Sequence, residues 1–198
     1  MPGIVDTVPA FSSLLVCYDP LVSSHDSVCQ SITHLADRAG TVGVPPSRSV
    51  ELPCCYAPDL GLDIEAAAQR LGVSVSELVG LHSEAPYIVY FVGFTPGLPY
   101  MIVPERIQLP RLETPRTAVP PGSVGIGGIQ CCIYSVESPG GYWILGRTPL
   151  RLYDPGASDP TILRPGDEVR FRVIDRAEFD EIAAGVTDRT FRPKMETA

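Results

Sequence analysis

No stretch of this 198-residue chain approaches the roughly 18 consecutive apolar residues that a bilayer-spanning helix needs. The opening residues, MPGIVDTVPAFSS, lack the basic-then-apolar pattern of a secretory leader. These absences set the expectation of a cytoplasmic protein without a membrane partner. Metal-ligand spacing is missing too. The six cysteines, Cys17, Cys29, Cys54, Cys55, Cys131 and Cys132, include no Cys-x-x-Cys, and no His stands at zinc-finger spacing. Two adjacent pairs are no disulfide framework, and neighbours in a strand point to opposite faces, so Cys54 and Cys55 cannot readily share one ion. Reduced, mostly buried thiols and no metal are expected.

Basic residues are scarce at the start. Residues 1–100 hold three Arg against ten Asp and Glu, whereas residues 101–172 hold eight Arg against seven acids. The net charge of −8 is therefore concentrated in the first half, which is unsuited to a phosphate backbone. What is present is ordinary for a folded domain: 44% hydrophobic and 19% charged residues, enough chain to bury a core.

The first half alternates strand and helix patterns. Residues 11–19, 49–57 and 86–93 read as strands, the last with almost no polar face and so expected to be buried on both sides. Residues 24–40 read as a helix with Val28, Ile32 and Leu35 on one face, Ser24 or Asp26 as cap and Gly40 as stop. Residues 63–72 and 74–83 read as two short helices. After Pro86 the texture changes: thirteen of the 21 prolines fall between Pro86 and Pro165. Short strand patterns recur at 106–109, 123–126, 129–135, 142–147, 149–153 and 168–174, the last with Val169, Phe171 and Val173 alternating with charged residues. Many short strands between Gly/Pro turns indicate a compact barrel or sandwich. The expected organisation is α+β: an N-terminal α/β lobe over 1–85, a β-barrel over 86–176, and a closing helix with a loose end over 177–198.

Several motifs offer chemistry. Residues 64–82, IEAAAQRLGVSVSELVGLH, have the spacing of a helix-turn-helix. Their second helix carries no Lys or Arg for phosphates or base edges, so a helical hairpin packed on a sheet is the reading taken and no nucleic-acid partner is expected. GSVGIGGIQ, residues 122–130, is glycine-rich but lacks the Lys-Ser/Thr of a phosphate loop, and hairpin turns explain it better. Three proline-glycine breaks, at 91–101, 118–130 and 138–148, contain stiffly held polar groups. Arg116 and Arg147 sit in such contexts, where a pre-ordered guanidinium loses less entropy on forking a carboxylate. Ser123 and Gln130 add neutral hydrogen-bonding capacity. His82 stands at a helix C-terminus, where capping competes with a catalytic role. Asp59 and Asp63 enter a helix and read first as caps.

Four segments in order, YIVYFVGFTPGLPYM, TPRTAVPPGSVGIGGIQ, SPGGYWILGRTPLRLYD and RPGDEVRF, together with VELPCCYAPDLGLDIEAAAQRLGVSVSELVGLHS upstream, resemble the family of KipI and the B-type subunit of 5-oxoprolinase, also called allophanate hydrolase subunit 1. The likeness spans roughly residues 9–174. It implies an N-terminal α/β lobe and a cyclophilin-like barrel. It further implies a non-autonomous subunit of an ATP-dependent 5-oxoprolinase, a hydrolase opening a lactam to glutamate. Its implied partners are the homologous C-type subunit (allophanate hydrolase subunit 2-like) and the A-type subunit. The resemblance leaves ATP either here or on a partner. It also implies an alternative role, inhibition of a sensor histidine kinase. Carried over by motif, one wall of the implied site is Gly93, Phe94, Pro96, Gly97 and Tyr100. Arg116, Ser123 and Gln130 make a second wall, and Ser138, Pro139, Gly140, Gly141 and Arg147 a third, with His82 added as a candidate catalytic residue. Leu98, Tyr142, Trp143 and the Cys131-Cys132 pair depart from the usual pattern.

Overall fold

The computed structural model describes residues 1–40, 47–191 and 193–197. Its contacts divide the chain into two units, Met1–Pro46 and Ser47–Ala198. In the first, β1 (Ile4–Pro9) and β2 (Leu14–Tyr18) pair antiparallel, and α1 (His25–Ala39) follows. Ser24 caps α1 by accepting from the Ser27 amide, as its position before the apolar-periodic run predicts. Of the expected helical face only Val28 is buried, and Leu35 is half exposed.

The second unit runs β3 (Arg48–Cys55), α2 (Ile64–Leu71), α3 (Val75–Ser83), β4 (Tyr87–Val92), β5 (Pro99–Ile102), β6 (Arg116–Val119), β7 (Ser123–Gly127), β8 (Gln130–Ile133), β9 (Ser138–Gly140), β10 (Trp143–Arg147), β11 (Glu168–Ile174), α4 (Arg176–Thr187) and β12 (Met195–Thr197). Seven strands close a barrel in the order β10-β7-β8-β5-β4-β11-β3, the ring completed where Arg147 meets Cys55. Neighbours are antiparallel except β3 and β11, which run parallel from Ser49–Glu168 to Cys55–Ile174. The fold is thus α+β around a closed barrel, which removes the exposed strand edges of an open sheet.

Alternation along the strands builds two cores. Inward residues such as Leu52, Val89, Met101, Ile126, Cys131 and Val169 join Ile64, Ala67 and Ala68 of α2 and Leu78 of α3 in the main one. On the opposite face of β5, β7, β8 and β10 lies a second, made of Leu98, Val119, Cys132, Tyr134, Tyr142 and Ile144. A two-stranded ribbon, β6 with β9, contributes Val119 to it. Cys131 and Cys132 fall one in each core, as the period-two geometry requires.

Several expectations are corrected. The division expected near residue 85 falls at residues 46/47, because β3 is a barrel strand and α2 and α3 bury their apolar faces in the barrel's own core. β4 is not buried on both sides: Ile88 and Tyr90 are half exposed, since the helices cover other strands. Residues 106–109 form a 3-10 turn at Glu105–Ile107, and 149–153 hold no strand beyond an isolated bridge from Tyr153 to Thr161. In β11 it is Ile174, not Val173, that enters the core. The tail read as loose includes β12, paired with β3.

Candidate functional site

The sequence FVGFTPGLPYM forms the end of β4, a tight loop and β5. Gly93 donates to the Leu98 carbonyl at 3.0 Å, Leu98 donates back to Thr95 at 3.2 Å, and Thr95 donates to Gly93 at 2.8 Å. Ser135 ties the loop down by donating to the Pro96 carbonyl at 2.6 Å, with Thr95 Oγ1 3.2 Å away. Gly97, with φ of +76°, presses against residues 152 and 153, where a Cβ would come within 3.0 Å of Tyr153. The loop forces Phe94 to φ +67°, a conformation a bulky side chain adopts only at a cost of about 1–3 kcal/mol. Phe94 is left 66% exposed.

Phe94 stands at the rim of a cavity of about 100 Å³. Its walls are Leu98, Tyr100 and Cys132 from the outer barrel face, Tyr134 and Tyr142, Pro139, Gly140 and Gly141 from the ribbon side, and Arg111. Tyr100 stacks on Phe91 with centroids 4.4 Å apart and planes 7° from parallel. Tyr134 meets Tyr142 edge-on at 6.4 Å. Close approach at the ribbon explains a glycine: a Cβ on Gly140 would lie 1.9 Å from the Tyr134 hydroxyl oxygen. Burial pushes the phenols of Tyr100, Tyr134 and Tyr142 and the Cys132 thiol up, so all four remain protonated at neutral pH. On the solvent side, Tyr142 donates to Gln130 Oε1 at 2.7 Å, and Arg111 Nη2 donates to the same oxygen at 3.2 Å and to the Tyr142 hydroxyl at 3.1 Å.

The structure therefore gathers Phe94, Tyr100, Pro139, Gly140 and Gly141 around one cavity, with Gln130 at its edge and Gly93, Pro96 and Gly97 in the loop that holds Phe94. Other residues of the expected site lie apart. Arg116 is opposite Gly140 in the ribbon, but its Nη2 is engaged at 2.5 Å by Asp63, whose other oxygen accepts from the Ile144 amide at 2.7 Å. Asp63 makes no side-chain cap to α2; it serves this bridge instead. Arg147 and Ser123 are register partners on β10 and β7, outside the cavity wall. Desolvation lowers the Arg147 pKa, and its Nε, like Ser123 Oγ, Ser138 Oγ and Arg116 Nη1, is buried without a protein partner among the described residues.

His82 is neither a surface cap nor near the cavity. It is fully buried in the main core, its Nδ1 2.7 Å from the Tyr56 hydroxyl and its ring 4.6 Å from that of Phe171. Arg111, Tyr134 and Tyr142 are cavity residues that sequence reasoning missed as site candidates. The proline before Arg111 is the only local hint of a held guanidinium.

A second, wider cleft of about 460 Å³ lies between residues 150–162 and the C-terminal segment. Its arginines are largely committed: Arg48 to Asp167 at 2.5 Å and Arg189 to Asp154 at 3.4 Å, with Asp159 also on the wall. Among the described residues no cluster of three or more His, Cys, Asp and Glu could hold a metal ion, and no helix is long and apolar enough to cross a membrane.

Comparison with known proteins places this geometry in context. The family described as carboxyltransferase domain, subdomain C and D, matches residues 1–163. The B-type subunit of 5-oxoprolinase from Bacillus subtilis (strain 168) is 37% identical over 190 residues, covering 90% of this chain and 79% of that one. A solved structure of a conserved uncharacterized protein from Pyrococcus horikoshii is 45% identical, with a TM-score of 0.64 over 89% of this chain and 82% of that one. The K. lactis urea amidolyase shares the fold at a TM-score of 0.82 and 22% identity, over 99% of this chain and 14% of its own.

Proposed function

From the premise that this chain belongs to the family of carboxyltransferase domains of the subdomain C and D type, we propose that it is a non-autonomous subunit of an ATP-dependent 5-oxoprolinase. The observation that carries this reading is the likeness to a 5-oxoprolinase subunit of the B type over nine-tenths of the chain. In this proposal it works beside the homologous C-type subunit, with the A-type subunit as third member, opening the lactam of 5-oxoproline to glutamate. The occurrence of the same fold within the much longer urea amidolyase supports work inside a larger assembly.

The geometry supports a division of labour. A lactam is a poor electrophile, which is why its opening is coupled to ATP. The cavity beside Phe94 is far below the roughly 300–1,000 Å³ of typical cofactor and drug-sized sites, so it does not suit a nucleotide. The glycines at 125 and 127 do not offer a phosphate cradle either, because the Tyr142 side chain fills the space beside them. The wider cleft of about 460 Å³ is large enough, but its Arg48 and Arg189 are already paired with Asp167 and Asp154, and Asp159 adds negative charge to the wall, which disfavours a triphosphate. We therefore assign ATP to a partner subunit. What this chain contributes is a small aromatic chamber. Tyr100, Tyr134 and Tyr142 hold a flat ring by stacking and edge contacts, and the protonated hydroxyls of Tyr100 and Tyr134 are hydrogen-bond donors for an amide oxygen, that of Tyr142 being already given to Gln130. Phe94 shields the ring from water.

Co-expression with the C-type and A-type subunits, followed by a glutamate-release assay, tests this. Glutamate should form only with all three proteins and ATP present. An assembled complex that fails to open 5-oxoproline with ATP overturns the reading.

A further inference from the structure

Arg111 is absent from the residues that the sequence nominates, yet among the described residues it is the one guanidinium on the cavity wall. Its Nη2 is pinned by Gln130 Oε1 and the Tyr142 hydroxyl, and its Cζ stands 5.0 Å from the Tyr142 ring centroid. Three contacts to one small group fix the plane of the guanidinium before any ligand arrives. No acid pairs with it among the described residues, unlike Arg48, Arg116, Arg172 and Arg176, each of which has a carboxylate partner. Its Nε and Nη1 have no protein acceptor among those residues. A positioned cation facing an aromatic chamber with no counter-charge is complementary to an anion, and the planar fork of donors matches a carboxylate. The chamber's volume limits the rest of the ligand to a few heavy atoms, and its tyrosine walls favour a flat ring.

We propose that Arg111 is the carboxylate-binding residue of this cavity, with Gln130 and Tyr142 positioning it, and that the ligand is a small flat-ring carboxylic acid. This deepens the 5-oxoprolinase reading and rests on it for the identity of the ring, though not for the need of a carboxylate. It also moves the carboxylate-holding role away from Arg116, which is neutralised by Asp63, and from Arg147, which lies outside the wall.

The protein carries its own reporter. Trp143, the single tryptophan, donates from Nε1 to the Pro110 carbonyl at 2.7 Å, one residue from Arg111. Trp143 emission of the full chain would be titrated with L-5-oxoproline, with pyrrolidin-2-one, which is the same ring without the carboxylate, and with furan-2-carboxylate, a flat ring acid without a lactam. Wild type, Arg111→Gln, Arg111→Lys and, as a control from the other cleft, Arg151→Gln would be compared, with thermal midpoints confirming that each variant folds. Binding of 5-oxoproline is expected to weaken about tenfold to a hundredfold in Arg111→Gln, the worth of a charge-assisted hydrogen-bonded pair. Arg111→Lys should restore part of it, Arg151→Gln should match wild type, and pyrrolidin-2-one should bind weakly and be indifferent to Arg111. If furan-2-carboxylate binds through Arg111 while 5-oxoproline does not, the carboxylate site stands and the lactam reading falls. If 5-oxoproline and pyrrolidin-2-one bind alike and Arg111→Gln changes neither, the assignment of Arg111 is overturned while the lactam reading survives. If none of the three ligands binds, the proposal is overturned.

Discussion

At the residue scale, His82 shows how burial turns a titratable group into a pH-dependent element of stability. Its ring lies among Tyr56, Tyr87, Phe171 and Cys131, with no carboxylate among those contacts to share a proton. Desolvation lowers its pKa from 6.5 to about 3. The unfolded chain therefore takes up a proton below about pH 6.5 that the folded chain refuses until about pH 3. Stability from this residue is complete above the unfolded value and is lost as pH falls through that window. At about 1.4 kcal/mol per unit, the full loss is on the order of 5 kcal/mol. Urea midpoints measured from pH 7.5 down to about 4.5 should fall more steeply for wild type than for His82→Gln, whose acids titrate in common and cancel. Parallel slopes would show that the imidazole is protonated in the native state. This burial was not legible in the sequence. A His in the last turn of a helix reads as a surface cap, and besides nearby Tyr87 the side chains that enclose it, Tyr56, Cys131 and Phe171, come from distant parts of the chain. The same limit hid Arg111. Phe94 and Tyr100 could be found because a local proline-glycine break marks them, whereas Arg111 acquires its meaning from Gln130 and Tyr142, 19 and 31 residues away.

At the scale of elements, the ribbon of β6 and β9, which buries Val119 in the second core, is tied to helix and barrel by a single acid. Asp63, just before α2, replaces a missing neighbour on the edge of β10: its amide donates to the Ile144 carbonyl at 2.9 Å and its carboxylate accepts from the Ile144 amide. The same carboxylate holds Arg116 of β6. Helix, barrel edge and ribbon thus meet at one mostly buried group. Gly61 permits this approach, since a Cβ there would come within 2.2 Å of the Leu145 carbonyl oxygen. Asp63→Ala would leave the Ile144 amide and the Arg116 guanidinium unpaired. It is expected to cost about 2–3 kcal/mol, less than a fully buried pair because Arg116 keeps part of its side chain in solvent. Asp63→Asn, which retains an acceptor, should recover roughly half of that. Urea midpoints would check both, and equal stability of the two variants would mean that the charge, not the acceptor, is what matters. Elements with strong local signals, α1 to α4, β7 and β11, were legible from periodicity and capping residues. Strands such as β5, β6, β9 and β12 are three or four residues long and defined by their partners, which no local pattern announces.

At the scale of the whole molecule, the two units differ in how they can be held together. Residues 47–198 close a barrel on itself, so its strands lose their pairing together, and the main core draws on strands from β3 to β11 as well as α2, α3 and α4. Trp143 emission and far-UV ellipticity of a fragment spanning residues 47–198 are therefore expected to change in one coincident transition, as a single cooperative domain requires. The first unit lacks these supports. A two-stranded sheet is marginal alone in water, and α1 is at the length where an isolated helix barely forms. Among its described residues only Val28 is buried, while Val5, Leu14, Leu15, Leu21 and Val22 are more than half exposed. A peptide of residues 1–46 should consequently show little helix by circular dichroism and no cooperative melt, because the apolar surface it removes from water falls short of the entropy of ordering it. A sharp thermal transition in that peptide at micromolar concentration would show that it holds a core of its own, and the boundary at residue 46 would then separate two self-sufficient domains. If the transition sharpens only as peptide concentration rises, self-association supplies the missing burial, and the exposed valines and leucines are the surface through which it does so.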